Sequence, residues 1–306
     1  MFHEVKTRKK KKHGWIATLI LILIFLVGFS VMLYPTVSNY INTKHQSYAI
    51  AKYDEAMNNL SEEDYSEIFE AAKDYNRRLK ETGSPLSNYK DVAGYEDVLD
   101  ITGTGIMGYV TIPQIQIQLP IYHGTSAEVL NIAIGHLEGS TLPIGGDSTH
   151  AVLSAHRGLP SAKLFSDLDK LVVGDVFTVT VLNEVLTYEV DRIVIVEPQE
   201  VNNLEITSGK DYVTLLTCTP YGVNTHRLLV RGKRIATAAP ELVVRVSSDA
   251  VQIEPMVVAS IIAVPLLIIT FSLTIIGGSI RQKHKKKKKG LADNFDAKAG
   301  EDSGTQ

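Results

Sequence analysis

The sequence predicts a mainly-β fold, a closed or nearly closed barrel that follows N-terminal helices and is flanked by two transmembrane helices. Three observations predict it. Short runs rich in β-branched residues, separated by turn residues, fill most of residues 108–234. Two long uncharged apolar runs lie on either side of this region. Between the first apolar run and the β-rich region, apolar residues recur at helical spacings of three and four.

The first apolar run, residues 14–34, has 21 positions without a charge, and the second covers residues 256–280. A helix needs about 20 apolar residues to cross a bilayer, so residues 14–35 and 256–280 are predicted to be membrane spans. A cleaved secretory signal is the alternative for the first run. Its length, and the lack of a small-x-small cleavage site before Tyr34, favour an uncleaved anchor.

Charge predicts the orientation of these spans. The net charge of -3 at pH 7 combines basic ends, residues 1–13 and 281–306, with a middle of net charge -12. Lysine runs directly before the first span and after the second predict that both termini are cytoplasmic and contact the lipid surface. The residues between the spans then face outside. An acidic body also disfavours a nucleic acid as partner.

The N-terminal helical segment is predicted over residues 36–82. Ser61 and Asp64 have the spacing of a capping box, so a break near residues 59–61 gives two successive helices. A solvated stalk and a binding element are equally compatible with this segment. Residues 83–105 are rich in Gly, Ser, Asp and Asn, which is typical of a long loop.

The barrel domain is predicted over residues 106–240, with a linker at 241–255. One short helix is expected near residues 161–169. The predicted strands are 108–112, 115–119, 151–155, 176–181, 185–196, 213–218 and 227–234.

The chain has one cysteine, which excludes an intramolecular disulfide framework and a multi-cysteine zinc site. Cys218 ends an apolar strand, Arg227 opens the next strand after a turn, and His156 follows another strand end. A thiol, a general acid/base and a fixed cation are the components of nucleophilic acyl transfer. Taken alone, a strand-end cysteine is more often a core residue.

Other histidines compete with His156 for the role of acid/base. His226 is disfavoured, because neighbouring side chains on a strand point to opposite faces and Arg227 would face the site. The remaining candidates rank only slightly below His156. They are His123, His136 and His150.

Four segments resemble the sortases, and in particular the pilin-polymerising class C sortases. They are TLLTCTPYGVNTHRLLVRG (214–232), GYVTIPQIQIQLPIYHGT (108–125), GHLEGSTLPIGG (135–146) and LSAHRGLPSAKLFSDLDKL (153–171). The resemblance implies an eight-stranded sortase-type barrel and a catalytic triad of His156, Cys218 and Arg227. Thr217 matches the family's threonine before the cysteine and is expected to bind substrate. No metal or cofactor is implied.

In one feature the sequence departs from class C relatives, which commonly carry an Asp-Pro-aromatic lid before the barrel. No Asp-Pro occurs in this chain. Residues 83–105 offer Asp91, Tyr95 and Asp97 instead, and solvated loop residues are the favoured interpretation of all three. The chain is therefore expected to be either a lidless member or one in which residues 83–105 form an atypical lid, for which Asp91 and Tyr95 are the candidates.

The resemblance predicts a membrane-anchored cysteine transpeptidase on a Gram-positive cell surface. It would cut a Leu-Pro-x-Thr-Gly-like (LPxTG) sorting signal between Thr and Gly and join the Thr carbonyl to a lysine of a pilin subunit. Two alternatives stay open: attachment of surface proteins to peptidoglycan cross-bridges, and a non-catalytic surface adhesin.

Overall fold

The structure is a computed structural model that describes residues 13–237, with side chains from residue 19 onward, and helical backbone at Pro265, Ile268 and Ser272. The predicted linker 241–255, basic tail 281–306 and basic segment 1–13, apart from His13, lie outside the described residues. So does the predicted second span, 256–280, apart from the three helical residues.

Two long helices precede the barrel, as the sequence predicts: α1 (His13–Met57) and α2 (Glu62–Glu81). The break between them carries the predicted capping box. The Asp64 backbone N–H donates to Ser61 Oγ at 3.2 Å, and the Ser61 N–H donates to Asp64 Oδ2 at 2.8 Å. These bonds satisfy two backbone donors at the helix start, which fixes where α2 begins.

The first part of α1 is long and apolar enough to cross a membrane, and it is the one such helix within the described residues. Its apolar side chains from Leu19 to Val31 are largely exposed to the surroundings rather than packed against protein. A soluble core helix would bury these residues, so their exposure fits an anchor or a signal sequence.

Eight strands form a closed barrel in the order β1-β2-β3-β4-β7-β8-β6-β5. Seven of them match the predicted runs. The eighth, β3, has three residues and escaped prediction because so short a run has no readable alternation. The strands are β1 (Ile106–Ile112), β2 (Ile117–His123), β3 (Ile134–His136), β4 (Thr149–Ser154), β5 (Val176–Val181), β6 (Glu184–Val196), β7 (Asp211–Thr219) and β8 (His226–Ile235).

Two strand pairs are parallel, β2 with β3 and β4 with β7, and the other neighbours are antiparallel. Short helices α3 (Pro85–Asn88) and α4 (Ala127–Leu130) lie in connections, as do 3-10 turns at Tyr89–Asp91, Pro113–Ile115, Leu168–Lys170 and Asn202–Leu204. The parallel β4/β7 pair matters for function, because the ends of parallel strands meet at the same end of the barrel.

The helix expected near residues 161–169 does not form. Only the 3-10 turn Leu168–Lys170 falls in that range, and turns occupy the rest. Leu164 has a φ of +41°, which interrupts a right-handed helix. The Phe165 N–H instead donates to the backbone oxygen of His156 at 3.1 Å, so this segment folds back on the end of β4.

Candidate active site

The ends of β4, β7 and β8 bring the three predicted site residues to one end of the barrel. Ser154 on β4 is paired with Leu216 on β7, and the Ala155 N–H donates to Leu216 O at 3.1 Å. Cys218 and Arg227 are direct partners on the antiparallel β7/β8 pair. We call His156, Cys218 and Arg227 the strand-end site.

Thr217 fixes the backbone beside this site. Its side chain is only 1% exposed, and its hydroxyl donates to the backbone oxygen of Ala155 at 2.8 Å. The hydroxyl therefore joins β7 to β4 next to Cys218 and His156. This contact aligns the two strands, and the substrate contact expected of Thr217 stays a prediction.

The cysteine and arginine are partly exposed at the end of the sheet. The Arg227 guanidinium donates to the backbone oxygens of Asn224 and His226, at 3.2 and 3.1 Å, through the same nitrogen. Within residues 19–237 it makes no ion pair with a carboxylate. Its other N–H groups can therefore bind a carbonyl oxygen or a developing oxyanion beside the thiol.

His156 differs from the competing histidines in its surroundings. Each ring nitrogen of His123, His136 and His150 has a protein hydrogen-bond partner. Within the described side chains, the His156 imidazole has none, and it is partly exposed at the strand end. Partial burial lowers its pKa, which favours the neutral ring. His226 is exposed, and its Nδ1 forms a hydrogen bond with the Thr225 hydroxyl.

Arg157 is a residue that the sequence did not single out. Its side chain is only 9% exposed, and it donates to Asp169 and to Thr219 Oγ1, the latter at 3.2 Å. Its guanidinium also lies 5.9 Å from the ring centroid of Tyr221. Arg157 thus ties the chain after His156 to the chain after Cys218. The sequence feature that could have identified Arg157 as a site residue is its position directly after His156.

The loop at residues 83–105 does not pack on the strand-end site but on His123 and His136. The Tyr95 hydroxyl lies 2.9 Å from His136 Nδ1 and accepts the Gly124 N–H at 2.9 Å, and its ring meets His123 edge-on. Asp91 ends the 3-10 turn and is exposed. Across residues 19–237, no hydrogen bond or ion pair joins this loop to the strand-end site.

The described residues contain no group of three or more His, Cys, Asp or Glu side chains that could hold a metal ion. The strand-end site holds a thiol, an imidazole that has no hydrogen-bond partner among the described side chains, and a guanidinium with spare donors. Together these can form a covalent acyl intermediate, move a proton and stabilise an oxyanion.

The chain is similar to known sortases in sequence and in structure. The model of the sortase domain family matches residues 110–235. Sortase C1 from Streptococcus agalactiae is 54% identical, with a TM-score of 0.58, over 62% of this chain and all of that one. A sortase C of Clostridium perfringens, solved with a C-terminal cell wall sorting motif, is 44% identical with a TM-score of 0.55, over 62% and 100% of the two chains. A Streptococcus pneumoniae sortase C, discussed for its pilin substrate specificity, is 44% identical with a TM-score of 0.57, over 63% and 99%.

Proposed function

Since the chain belongs to the sortase family of cysteine transpeptidases, we propose that it is a membrane-anchored enzyme of a Gram-positive cell surface that links pilin subunits. The observation that carries this proposal is the pairing of Cys218 with Arg227 beside the strand end that bears His156. The pilin substrate is supported by the similarity to class C sortases, one of them described by its pilin specificity.

The first half-reaction forms a thioester. The neutral His156 imidazole accepts the proton of the Cys218 thiol. The resulting thiolate attacks the Thr carbonyl of an LPxTG-like sorting signal, and the Arg227 guanidinium stabilises the oxyanion. The Thr–Gly C–N bond then breaks, and a proton from His156 neutralises the leaving Gly amine. The products are an acyl-enzyme and a peptide that begins with Gly.

The second half-reaction transfers the acyl group. A pilin lysine amine attacks the thioester carbonyl and loses a proton to His156, and the C–S bond breaks to release the thiolate. The lowered pKa of His156 suits this step, because a neutral imidazole can accept the proton. The net change exchanges one amide bond for another, so no oxidant or nucleotide is needed.

The location is also a proposal. The exposed apolar stretch of α1 supports an anchor in the membrane, and the lysines flanking both apolar runs support an extracellular barrel with cytoplasmic termini. The partners are then pilin subunits that carry sorting signals and acceptor lysines, together with membrane lipid.

Mass spectrometry of the detergent-solubilised chain with a sorting-signal peptide tests the nucleophile. We expect a mass increase equal to the acyl fragment, present in His156→Ala at a lower rate and absent in Cys218→Ala. An adduct that survives in Cys218→Ala would refute the role of the cysteine. The lack of any adduct on the native chain would favour the adhesin alternative.

Competition between acceptors separates the two sortase activities. With the acyl-enzyme formed, a pilin peptide containing a lysine and a peptide mimicking a peptidoglycan cross-bridge are supplied together. We expect the lysine product to dominate. Dominance of the cross-bridge product would assign the chain to surface-protein attachment and leave the thioester chemistry intact.

A further inference from the structure

Two asparagines of α1 bind the loop that follows His156. Asn42 Nδ2 donates to Ser161 O at 2.7 Å, and Asn39 Oδ1 accepts the Lys163 N–H at 2.8 Å. The asparagines are three residues apart, so they lie on the same face of the helix. We call Asn39 and Asn42 the amide pair. It holds the loop at two backbone positions that are 119 and 124 residues away in sequence.

The same loop is also bound to the backbone of His156. The Phe165 N–H donates to His156 O at 3.1 Å, and the Gly158 N–H donates to Ser166 Oγ at 3.2 Å. Leu164 has a φ of +41°, a left-handed conformation that persists only where its surroundings hold it. The N–H before Leu164 donates to α1, and the N–H after it donates to His156. The loop therefore connects α1 to His156 through hydrogen bonds on the two sides of one residue.

The barrel core fixes the side chains of this loop but not all of its backbone groups. Ala162, Leu164 and Phe165 are buried in the main hydrophobic cluster. The amide pair binds the backbone groups on either side of Ala162, at residues 161 and 163. The loop is thus held between the core and α1, and loss of a bond to α1 changes the support of His156.

His156 depends on this support more than the other residues of the strand-end site. Cys218 and Arg227 are fixed by the pairing of β7 with β8, whereas His156 lies beyond the end of β4. Within residues 19–237 its ring has no hydrogen bond of its own, so the backbone determines where the ring lies. Proton transfer requires hydrogen-bond reach of the reacting atoms, and a small misplacement of the ring lowers the rate greatly.

We propose that Asn39 and Asn42 are positioning residues of the transpeptidase. Through the loop at residues 158–166 they hold His156 where it can exchange protons with the Cys218 thiol, the leaving amine and the incoming amine. The inference rests on the proposed function, and in particular on His156 as the group that carries the proton. It gives α1 a part in catalysis in addition to the proposed anchoring.

The two amides have opposite hydrogen-bonding roles, and this provides a test that a general loss of packing would not imitate. Asn42 is a donor, so Asn42→Asp places a carboxylate oxygen against Ser161 O. We expect it to lower kcat by about tenfold, at least as much as Asn42→Ala does. Asn39 is an acceptor, so the conservative variant Asn39→Asp keeps the bond to Lys163 and should restore most of the activity that Asn39→Ala loses.

These variants are measured as the full chain in detergent, with a sorting-signal peptide whose cleavage gives kcat and KM. KM for the peptide should be unchanged in all four variants, because the amide pair lies on α1 and acts through the loop. A rise of KM with native kcat, or native kcat in both Asn42 variants, would overturn the positioning role.

Gln46→Ala is the matched control on the same helix. Gln46 Nε2 donates to Ile132 O at 2.7 Å, which is the same kind of bond as that of Asn42. Ile132 lies between α4 and β3, a connection that carries no residue of the strand-end site. Gln46→Ala should lower the thermal unfolding temperature about as much as Asn42→Ala and leave kcat at the native value. An equal loss of kcat in these two variants would refute the specific role of the amide pair.

NMR of the chain with labelled histidines reports the position of His156 without relying on activity. Its imidazole signal is assigned by its absence in His156→Gln. We expect this signal to shift in Asn42→Asp and to stay at the native position in Gln46→Ala. A loss of kcat in Asn42→Asp without a shift of the signal would contradict the inference.

The measurements separate this inference from the proposed function. If the native chain forms a thioester and Asn42→Asp has native kcat and a native His156 signal, only the inference is wrong. If the native chain forms no thioester but the His156 signal shifts in Asn42→Asp, the proposed function is wrong while the link between α1 and His156 stands.

Discussion

Two groups of polar side chains on the same barrel differ in how fully their hydrogen bonds are satisfied. In the histidine cluster, formed by Tyr95, His123 and His136, every ring nitrogen and the tyrosine hydroxyl have protein partners. In the strand-end site, the His156 imidazole has no protein hydrogen bond within the described side chains, and Arg227 keeps unused donors. Saturated groups stabilise a fold, whereas exposed groups with free capacity can bind and react.

The largest expected effect separates the two groups directly. We expect His156→Gln to lower kcat/KM for thioester formation by about 10²–10⁴-fold, because the leaving amine loses its proton donor. The thermal unfolding temperature should stay unchanged, since the ring has no hydrogen-bond partner to lose within residues 19–237. Peptide cleavage assays and calorimetry measure both quantities.

The matched control is His226→Gln, which removes an exposed histidine next to Arg227. It should retain full activity. An equal loss of kcat/KM in the two variants would mean that His156 is not the specific proton donor and that any change at the strand ends lowers the activity.

Arg157 lies between the two groups in its bonding, because its two terminal nitrogens donate to Thr219 and Asp169 while its buried Nε has no partner among the described residues, and it adjoins His156. Lysine retains the positive charge, but its ammonium cannot donate two hydrogen bonds in the fixed plane of a guanidinium. We expect Arg157→Lys to lower kcat by about 10- to 100-fold through misplacement of the two strand ends, with KM nearly unchanged. Arg192→Lys, at an exposed arginine of β6, should change neither. A loss of stability without a change in kcat would reduce Arg157 to a structural role.

The histidine cluster should instead control stability in acid. Burial lowers the pKa of His136 from 6.5 to about 4. Below pH 6.5 the unfolded chain therefore binds a proton that the folded chain does not. The free energy of unfolding should fall by about 2 kcal/mol between pH 7 and pH 5 from this group.

Urea unfolding at a series of pH values measures this slope. His136→Leu should lose much of the decrease above pH 5, where most carboxylates are still ionised, whatever its effect on stability at pH 7. An unchanged slope in His136→Leu would show that other groups carry the acid sensitivity.

The contrast between the two groups explains which parts the sequence could predict. Cys218 and Arg227 belong to one strand-turn-strand segment, so their pairing follows from local pattern and alternation. The partners of Tyr95 come from β2 and β3, and β3 is too short to read from a pattern. The turns at residues 161–169 likewise depend on α1 and His156, which are distant in sequence from that segment.

The smallest expected effect concerns the loop at residues 83–105. Tyr95→Phe keeps the ring against His123 but leaves the Gly124 N–H without its acceptor, so we expect a loss of about 1 kcal/mol of stability. Peptide hydrolysis per folded molecule should stay at the native rate, because in the part of the chain that the structure describes no hydrogen bond joins the loop to the strand-end site. Tyr89→Phe is the matched control from the same loop. Its hydroxyl has no hydrogen bond within residues 19–237, so stability should be unchanged. A faster hydrolysis in Tyr95→Phe alone would mean that the loop restrains the site after all, and that a saturated cluster can regulate an unsaturated one.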